Sequence, residues 1–479
     1  MGNADLTGYA SIDKPWLKYY PEGAENRPLP QKTLFQAVYE ANKDHQSDYA
    51  FNYFGKRITY REFFHKIDTV SRSLTRIGVK PNDIVTIMGL SAPETFYVAY
   101  ACNKIGAVIN LISVLAGEQE LVHYLNEAKS KVFIALDLFN DKIIKAMPQT
   151  GVKTVVNMSL AESMPLHIKA AYTLKTKVQK CDDFMSWKSF LALAEGQPKV
   201  RTFQFIPNRF SYLAHTGGTT GEPKGVMLTD EAMNGIADEY STLFGHERQN
   251  RWLDTIVPFV VYGFLPNCHL PLSMGMEVFL MPKVEVQKIP DFILDNKINF
   301  MDTAPMYLEK LSSHKKFNNM DLSFIRCLGV GGDGFTQEFE TSINEVLSRN
   351  NAANRLMSGY GLSETGSVSS WNYYGRFRNT VGIPLSRNMI SVFNSDDHKE
   401  MKYGEIGEIC INTPYLMLEY LNNPEATDEV VKVHADGKKW FHTGDLGYIT
   451  EEGAVYITGR IKRIILTEKD GMVLSLIPI

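Results

Sequence analysis

Apolar and polar positions alternate in two distinct ways along roughly the first 370 residues of the chain. Short β-branched apolar runs of strand length occur at residues 84–88, 132–135, 154–156 and 324–328. Segments with the spacing of amphipathic helices lie between such runs, for example at residues 94–104 and 337–347. Alternating strands and helices are typical of α/β folds with mostly parallel sheets. We therefore predict an α/β fold for this part of the chain.

The pattern changes from about residue 371 onward. The apolar runs become short and lie close to turn-forming residues, as at residues 404–411 and 453–457. Such runs are typical of small antiparallel or barrel-like units. We therefore predict a small β-rich unit after the α/β part.

Composition and charge narrow the class of protein. The chain has 479 residues, of which 44% are hydrophobic, enough for a large core in two or more domains of ~100–200 residues. Its 50 basic and 54 acidic residues give a formal charge of -4, which provides no electrostatic reason to expect a nucleic-acid partner. The five cysteines lie far apart without CxxC or Cys/His spacing. This argues against a disulfide framework and a metal site, and it favours a reducing cytoplasm.

Two segments bear on membrane contact. Residues 255–276 carry no charged side chain and are long enough for a membrane span. Because Pro258, Pro266 and Pro271 would break a helix, we predict a buried strand and loop there and no transmembrane segment. The lysine-rich residues 166–180 fit either peripheral contact with an anionic membrane surface or a solvated helix face. No export or anchoring signal is visible at the N-terminus.

The segment with the most specific chemistry is the glycine- and threonine-rich run at residues 215–225. Glycines permit the tight turns and close backbone approach that phosphate oxygens require, while hydroxyl and ammonium groups donate hydrogen bonds to them. The candidate phosphate-binding residues are Thr216, Gly217, Gly218, Thr219, Thr220, Gly221 and Lys224. No Gly-Lys-Ser/Thr closes the run, so it is not a Walker loop.

The order of glycines, threonines, Pro223 and Lys224 in this run resembles the adenylate-forming superfamily, which includes acyl-CoA synthetases, nonribosomal peptide adenylation domains and luciferases. Residues 359–365, 440–447 and 459–463 match further segments of that family in the right order. The resemblance implies the family's large N-terminal domain. We therefore expect two αβ subdomains with mostly parallel sheets over residues 1–370, a small β-barrel-like subdomain over 371–458, and the hinge with a truncated start of the C-terminal domain over 459–479.

Residues 359–365 read Gly-Tyr-Gly-Leu-Ser-Glu-Thr. The resemblance implies that Tyr360 stacks on adenine, that Ser363 contacts the α-phosphate, and that Glu364 ligates Mg²⁺, with Gly359 and Gly361 beside the nucleotide. A hard cation between phosphates needs such oxygen ligands. An ion pair with a basic neighbour is the alternative for Glu364. The catalytic residues implied are Thr216, Lys224 and Glu364.

The two later segments complete the implied nucleotide site. Asp445 would accept hydrogen bonds from both ribose hydroxyls, although an Asp that caps its own turn is the alternative. Arg460 would contact the ribose or a phosphate, and Lys462 occupies the hinge pivot. A weaker match implies an adenine-binding turn at Gly332, Asp333 and Gly334, where Asp333 and Gly334 replace the more usual Ala-Pro.

The residues that hold the carboxylic acid are less clearly marked. Tyr262 is the candidate aromatic gate, because the histidine common at this place in the family is lacking. Val261, Gly331 and Gly359 are the other candidates for the lining of the acid pocket, and packing in the core is the alternative for all of them.

The resemblance implies ATP-dependent activation of a carboxylic acid to an acyl-adenylate, followed by thioester formation with CoA or a carrier thiol. The co-substrates and cofactor would be ATP, CoA and Mg²⁺. The family's mobile C-terminal domain supplies a lysine that cannot be placed here, so we expect impaired adenylation and thiol transfer. A non-catalytic nucleotide-binding remnant is one alternative. An NAD-binding oxidoreductase is another, because residues 329–334 match GxGxxG, but the acidic residue expected about 20 positions later is missing.

Overall fold

A seven-stranded sheet forms one half of the α/β part. The computed structural model describes residues 6–216, 223–242 and 245–461 with their side chains, and the backbone of residues 464–467 and 471–474. The strands of this sheet are, in spatial order, Met185–Ser186, Thr154–Met158, Val132–Leu136, Ile84–Met88, Val108–Leu111, Phe210–Thr216 and Lys224–Thr229. All neighbouring strands are parallel except the last pair.

A nine-stranded sheet forms the other half. Its strands are, in spatial order, Ile383–Pro384, Ser370–Trp371, Met357–Tyr360, Cys327–Val330, Phe300–Thr303, Arg251–Asp254, Glu277–Leu280, Tyr49–Tyr53 and Lys56–Thr59. The central strands are parallel, and antiparallel strands complete both edges. The two mostly parallel sheets confirm the predicted α/β class.

The C-terminal strands form an antiparallel sheet. Met389–Phe393, Gly407–Asn412, Lys439–Ile449 and Val431–Val433 pair in this order, and Val455–Arg460 also pairs with Lys439–Ile449. Two further strands, Ile464–Thr467 and Gly471–Leu474, pair antiparallel with each other. The subdomain boundaries 1–370, 371–458 and 459–479 stay predictions.

Helices cover the sheets. The α-helices are Ala10–Asp13, Leu34–Asn42, Tyr60–Arg76, Pro93–Ile105, Glu118–Glu127, Asn140–Ala146, Leu166–Lys175, Trp187–Ala192, Asp230–Ser241, Val261–Phe264, Leu270–Ser273, Ile289–Asn296, Gln337–Arg349 and Pro424–Val430. Thr33 and Thr59 each begin a helix with a capping box, in which the side chain of the residue three positions later bonds back to the threonine N–H. Such boxes satisfy backbone donors that a helix start leaves unpaired.

The uncharged residues 255–276 differ from the strand and loop predicted for them. The helical segment 261–273 includes a π-helical turn at Leu265–His269. Pro266 and Pro271 lie inside this continuous helical segment. The Asn267 side-chain amide donates to the Tyr262 carbonyl, which lacks the N–H of Pro266 as a partner. The buried helical segment therefore accommodates its prolines. Among the described residues, no helix is both long and apolar enough to cross a membrane.

Candidate active site

A cavity of about 1080 Å³ lies where the α/β part meets the β-rich part. Several of its lining residues lie at or just after the carboxyl ends of strands, including Thr216, Tyr360 and the turn after Cys327–Val330. Open α/β sheets bind ligands at this edge. The cavity brings together the predicted nucleotide residues within the described part of the chain: Thr216, Lys224, Gly332, Asp333, Gly334, Gly359, Tyr360, Gly361, Ser363, Glu364, Asp445 and Arg460.

The two ends of the predicted phosphate loop face each other across a strand pair. Thr216 and Lys224 are opposite residues of the antiparallel strands Phe210–Thr216 and Lys224–Thr229. The predicted residues Gly217, Gly218, Thr219, Thr220 and Gly221 lie outside the described residues, as does the predicted hinge residue Lys462. The Lys224 ammonium lies 4.9 Å from the centroid of the Tyr420 ring. Lys224 also lines the cavity, so its side chain contributes to the cavity wall.

Glu364 is a buried carboxylate at the same wall. The Tyr420 hydroxyl donates to Glu364 Oε1 at 2.7 Å, and the side chain is 8% exposed. Burial raises the pKa of Glu364, whereas the Tyr420 hydrogen bond and the charges of Lys224 and Arg460 oppose that rise. Mg²⁺ typically takes one or two protein carboxylates and completes its shell with substrate phosphates and water. The Glu364 carboxylate, near Lys224 at the cavity wall, fits such an ion held jointly with a polyphosphate.

Asp445 also lines the cavity, and both of its carboxylate oxygens accept hydrogen bonds. The Tyr360 hydroxyl donates to Asp445 Oδ2 at 2.6 Å, and Arg460 Nε donates to Asp445 Oδ1 at 2.7 Å. Asp445 and Arg460 are paired residues of neighbouring strands. The side chain therefore points to cavity residues and does not cap its own turn, which was the alternative for this position. An acceptor-only group placed this way can exchange these donors for the hydroxyls of a sugar.

The turn after Cys327–Val330 contributes backbone to the cavity. Gly332 has a φ of 79°, in the left-handed region that favours glycine. Asp333 Oδ1 accepts a hydrogen bond from the Gly334 N–H at 2.8 Å. The replacement of the usual Ala-Pro by Asp333 and Gly334 therefore gives a turn with its own side-chain-to-backbone hydrogen bond.

Below this turn lies a second, smaller cavity of about 140 Å³. The predicted acid-pocket residues Val261, Tyr262, Gly331 and Gly359 all line it. Gly359 and Tyr360 also line the large cavity, so the two are adjacent. This arrangement places the candidate acid site directly next to the candidate nucleotide site.

Several residues of the site were not predicted from the sequence. Tyr420 holds Glu364, Asp302 accepts a short hydrogen bond from the Tyr262 hydroxyl, and Trp371 forms one wall of the small cavity. Burial raises the pKa of Asp302 to about 7. None of these residues lies in a motif, and their contacts connect segments that are distant in sequence.

A buried cluster of Glu408, Cys410 and His442 fixes the strand that carries Asp445. Their potential ligand atoms lie within 4.8 Å of one another, although the cysteine spacing argued against such a cluster. Glu408 Oε2 lies 2.8 Å from His442 Nδ1, and Glu408 Oε1 accepts the Gly444 N–H at 3.0 Å. These hydrogen bonds give the buried Glu408 and His442 side chains polar partners. They also fix the backbone at Gly444, just before Asp445.

Comparison with known proteins agrees with this arrangement. A family model described as AMP-binding enzyme matches residues 38–421. The chain therefore belongs to the AMP-binding enzyme family. This membership favours the adenylate-forming prediction over the dinucleotide-binding alternative.

Similar relatives in the family are CoA ligases. A long-chain-fatty-acid–CoA ligase of Bacillus subtilis is 29% identical over 468 residues, which cover 95% of this chain and 81% of the relative. 4-Coumarate–CoA ligase CCL1 of Humulus lupulus is 25% identical over 425 residues, covering 86% and 72% respectively.

Solved structures share the fold. A long-chain-fatty-acid-CoA ligase from Archaeoglobus fulgidus has a TM-score of 0.78 at 19% identity, covering 91% of this chain and 85% of its own. The anthranilate CoA ligase AuaEII in complex with anthranoyl-AMP has a TM-score of 0.79 at 18% identity, covering 93% and 81%. At these identities the likeness concerns the fold.

Proposed function

We propose that this chain activates a carboxylic acid with ATP. A carboxylate oxygen attacks the α-phosphorus and forms an acyl-adenylate, while the bond to the β-phosphate breaks and pyrophosphate leaves. The thiol of CoA then attacks the acyl carbon, and AMP leaves as the thioester forms. The observation that carries this proposal is that one cavity is lined by Lys224, Glu364, Asp445 and Arg460 and adjoins a small pocket.

Each of these groups has a role that its surroundings support. The positive charges of Lys224 and Arg460 would offset the charge that develops on the phosphates, an effect that preorganised groups can exert strongly in a shielded site. Glu364 would hold Mg²⁺ together with phosphate oxygens, and the bound ion would neutralise phosphate charge. Asp445 and Tyr360 would orient the nucleoside, so that the acid and the α-phosphorus meet in a fixed geometry.

Exchange of labelled pyrophosphate into ATP in the presence of candidate acids tests this proposal. We expect acid-dependent exchange, and we expect Glu364→Gln to lower it by about two orders of magnitude. Glu452→Gln is the matched control because Glu452 is an exposed carboxylate in a turn, and it should leave exchange unchanged. If no acid supports exchange while AMP still binds, the nucleotide-binding remnant is the better account. The same assay measures the impairment of adenylation expected from the sequence.

We also propose a cellular compartment for the protein and a peripheral contact with membranes. We place it in the cytoplasm, because all five cysteines are free in the described structure and a reducing compartment keeps thiols in that state. Peripheral contact with an anionic membrane stays a prediction that rests on the helix Leu166–Lys175, where Leu166 is 85% and Leu174 is 87% exposed. Sedimentation with phosphatidylserine vesicles, compared with uncharged vesicles, would test this contact.

A further inference from the structure

The small cavity limits the size of the acid side chain. Its volume of about 140 Å³ is well below the ~300–1,000 Å³ typical of pockets for drug-sized ligands. It is close to a buried apolar cavity of ~150 Å³ that accommodates one benzene molecule. A side chain the size of a single ring would therefore fill it.

The walls of this cavity are held by packing and hydrogen bonds. Trp371 closes the side behind Gly359, since a Cβ added at Gly359 would lie 2.3 Å from Trp371 Cε3. Trp371 is 1% exposed, and its ring centroid lies 5.3 Å from that of Tyr240. Tyr262 closes another side, with its hydroxyl bonded to the buried Asp302 carboxylate and 3.3 Å from Thr303 O. A side chain that extends further toward Trp371 or Tyr262 would have to displace one of these rings.

The lining also defines the polarity of the acid side chain. Val260, Val261, Leu362 and Val368 supply aliphatic surface, and no charged side chain lines the cavity within the described part of the chain. Asp302 does not line the cavity, and its carboxylate accepts a hydrogen bond from the Tyr262 hydroxyl. A charged side chain placed here would lose its hydration without gaining a partner of opposite charge, which is costly.

We propose that the acid is a monocarboxylic acid whose uncharged side chain is no larger than about one benzene ring, and that Tyr262 and Trp371 set this limit. The inference rests on the proposed function and adds the class of substrate. It differs from the long-chain acids in the names of the Bacillus subtilis and Archaeoglobus fulgidus relatives.

A panel of acids in the pyrophosphate-exchange assay tests the proposal. The panel contains acetate, butyrate, benzoate, phenylacetate, octanoate and palmitate, with malonate and phenylalanine as charged comparisons. A single methylene beyond the capacity of a pocket changes selectivity by ~10–200-fold. We therefore expect kcat/KM for benzoate or phenylacetate to exceed that for palmitate, malonate and phenylalanine by about 100-fold or more.

Two variants move the limit in opposite directions. Trp371→Phe removes part of the wall and should raise kcat/KM for octanoate, relative to that for benzoate, by about tenfold. Gly331→Ala narrows the slot, because its new Cβ would lie 3.2 Å from Tyr262 Oη, and it should favour acetate over benzoate. Trp187→Phe is the matched control, since Trp187 is a buried tryptophan that does not line the cavity. Retained AMP binding shows that each variant folds.

The possible failures can be told apart. A kcat/KM for palmitate within tenfold of that for the best small acid would overturn the size limit while the proposed function stands. The same holds if both Trp371→Phe and Gly331→Ala leave the ratios of kcat/KM among the acids unchanged. The absence of exchange with every acid, combined with AMP binding, would overturn the proposed function and the size limit together.

Discussion

Replacing Tyr420 by phenylalanine isolates one hydrogen bond at the candidate metal carboxylate. The change removes the hydroxyl that donates to Glu364 Oε1 at 2.7 Å. It keeps the aromatic ring, whose centroid lies 4.9 Å from the Lys224 ammonium. The expected loss therefore comes from the hydroxyl alone.

The loss of stability should depend on pH. Burial already raises the pKa of Glu364 above its ordinary value, so the ionised carboxylate costs stability above the folded-state pKa, and this cost disappears below the unfolded-state pKa near 4.3. Without the hydroxyl the folded-state pKa rises further. A hydrogen bond to a charged group contributes ~1.5–3 kcal/mol and one between neutral groups ~0.5–1.5 kcal/mol. We expect Tyr420→Phe to cost about 2 kcal/mol at pH 8 and about 1 kcal/mol near pH 4.3.

Urea unfolding at both pH values measures this difference. Tyr456→Phe is the matched control, because the Tyr456 hydroxyl donates to a backbone carbonyl, Arg378 O, at 3.3 Å and is exposed. Its cost should stay within about 0.5 kcal/mol at both pH values. Equal costs for Tyr420→Phe at pH 8 and pH 4.3 would refute the conclusion that Glu364 is the titrating partner.

Three further changes test other parts of the account. The pKa of buried Asp302 is raised to about 7, so wild type should lose stability as the pH rises from about 4 to about 7. Asp302→Asn should remove this decline. In urea unfolding, the free energy of unfolding of wild type should fall by more than ~1 kcal/mol over this range relative to the variant. Glu239→Gln should cost about 1.5–3 kcal/mol in the same assay, because fully buried Glu239 accepts hydrogen bonds from the Ser386 and Tyr415 hydroxyls. Lys224→Met should weaken ATP binding about tenfold in calorimetry and change AMP binding little, because Lys224 lies beside Tyr420 on the wall with Glu364.

The fold class could be predicted because its signals are local. Strand-length apolar runs and helical spacing appear within 5–15 residues, and the parallel sheets follow from their alternation. Residues 261–273 were wrongly predicted as strand and loop, because a buried helical segment accommodates Pro266 and Pro271. Sequence alone does not show the Asn267 side-chain hydrogen bond that replaces the missing N–H of Pro266.

The nucleotide part of the site was predictable because its residues lie in motifs. Glu364, Asp445 and Arg460 lie in recognisable segments, and the structure brings them into one cavity, although their roles stay predictions. Tyr420 and Trp371 carry no such signal. Tyr420 reaches Glu364 across 56 residues, and Trp371 reaches Gly359 through an antiparallel strand pair. Contacts of this kind depend on tertiary packing, which a single sequence does not display.

Calorimetric titration of AMP into wild type and Asp445→Asn tests the central claim most directly, because it asks whether this cavity binds an adenine nucleotide. Asp396→Asn is the matched control, an exposed Asp in a turn of the same β-rich part. We expect AMP to bind wild type and the control equally, and Asp445→Asn to lose at least about 1.5 kcal/mol of binding free energy, or roughly tenfold in affinity. No binding of AMP to wild type, or equal binding to Asp445→Asn, would contradict the assignment of this cavity to the nucleotide.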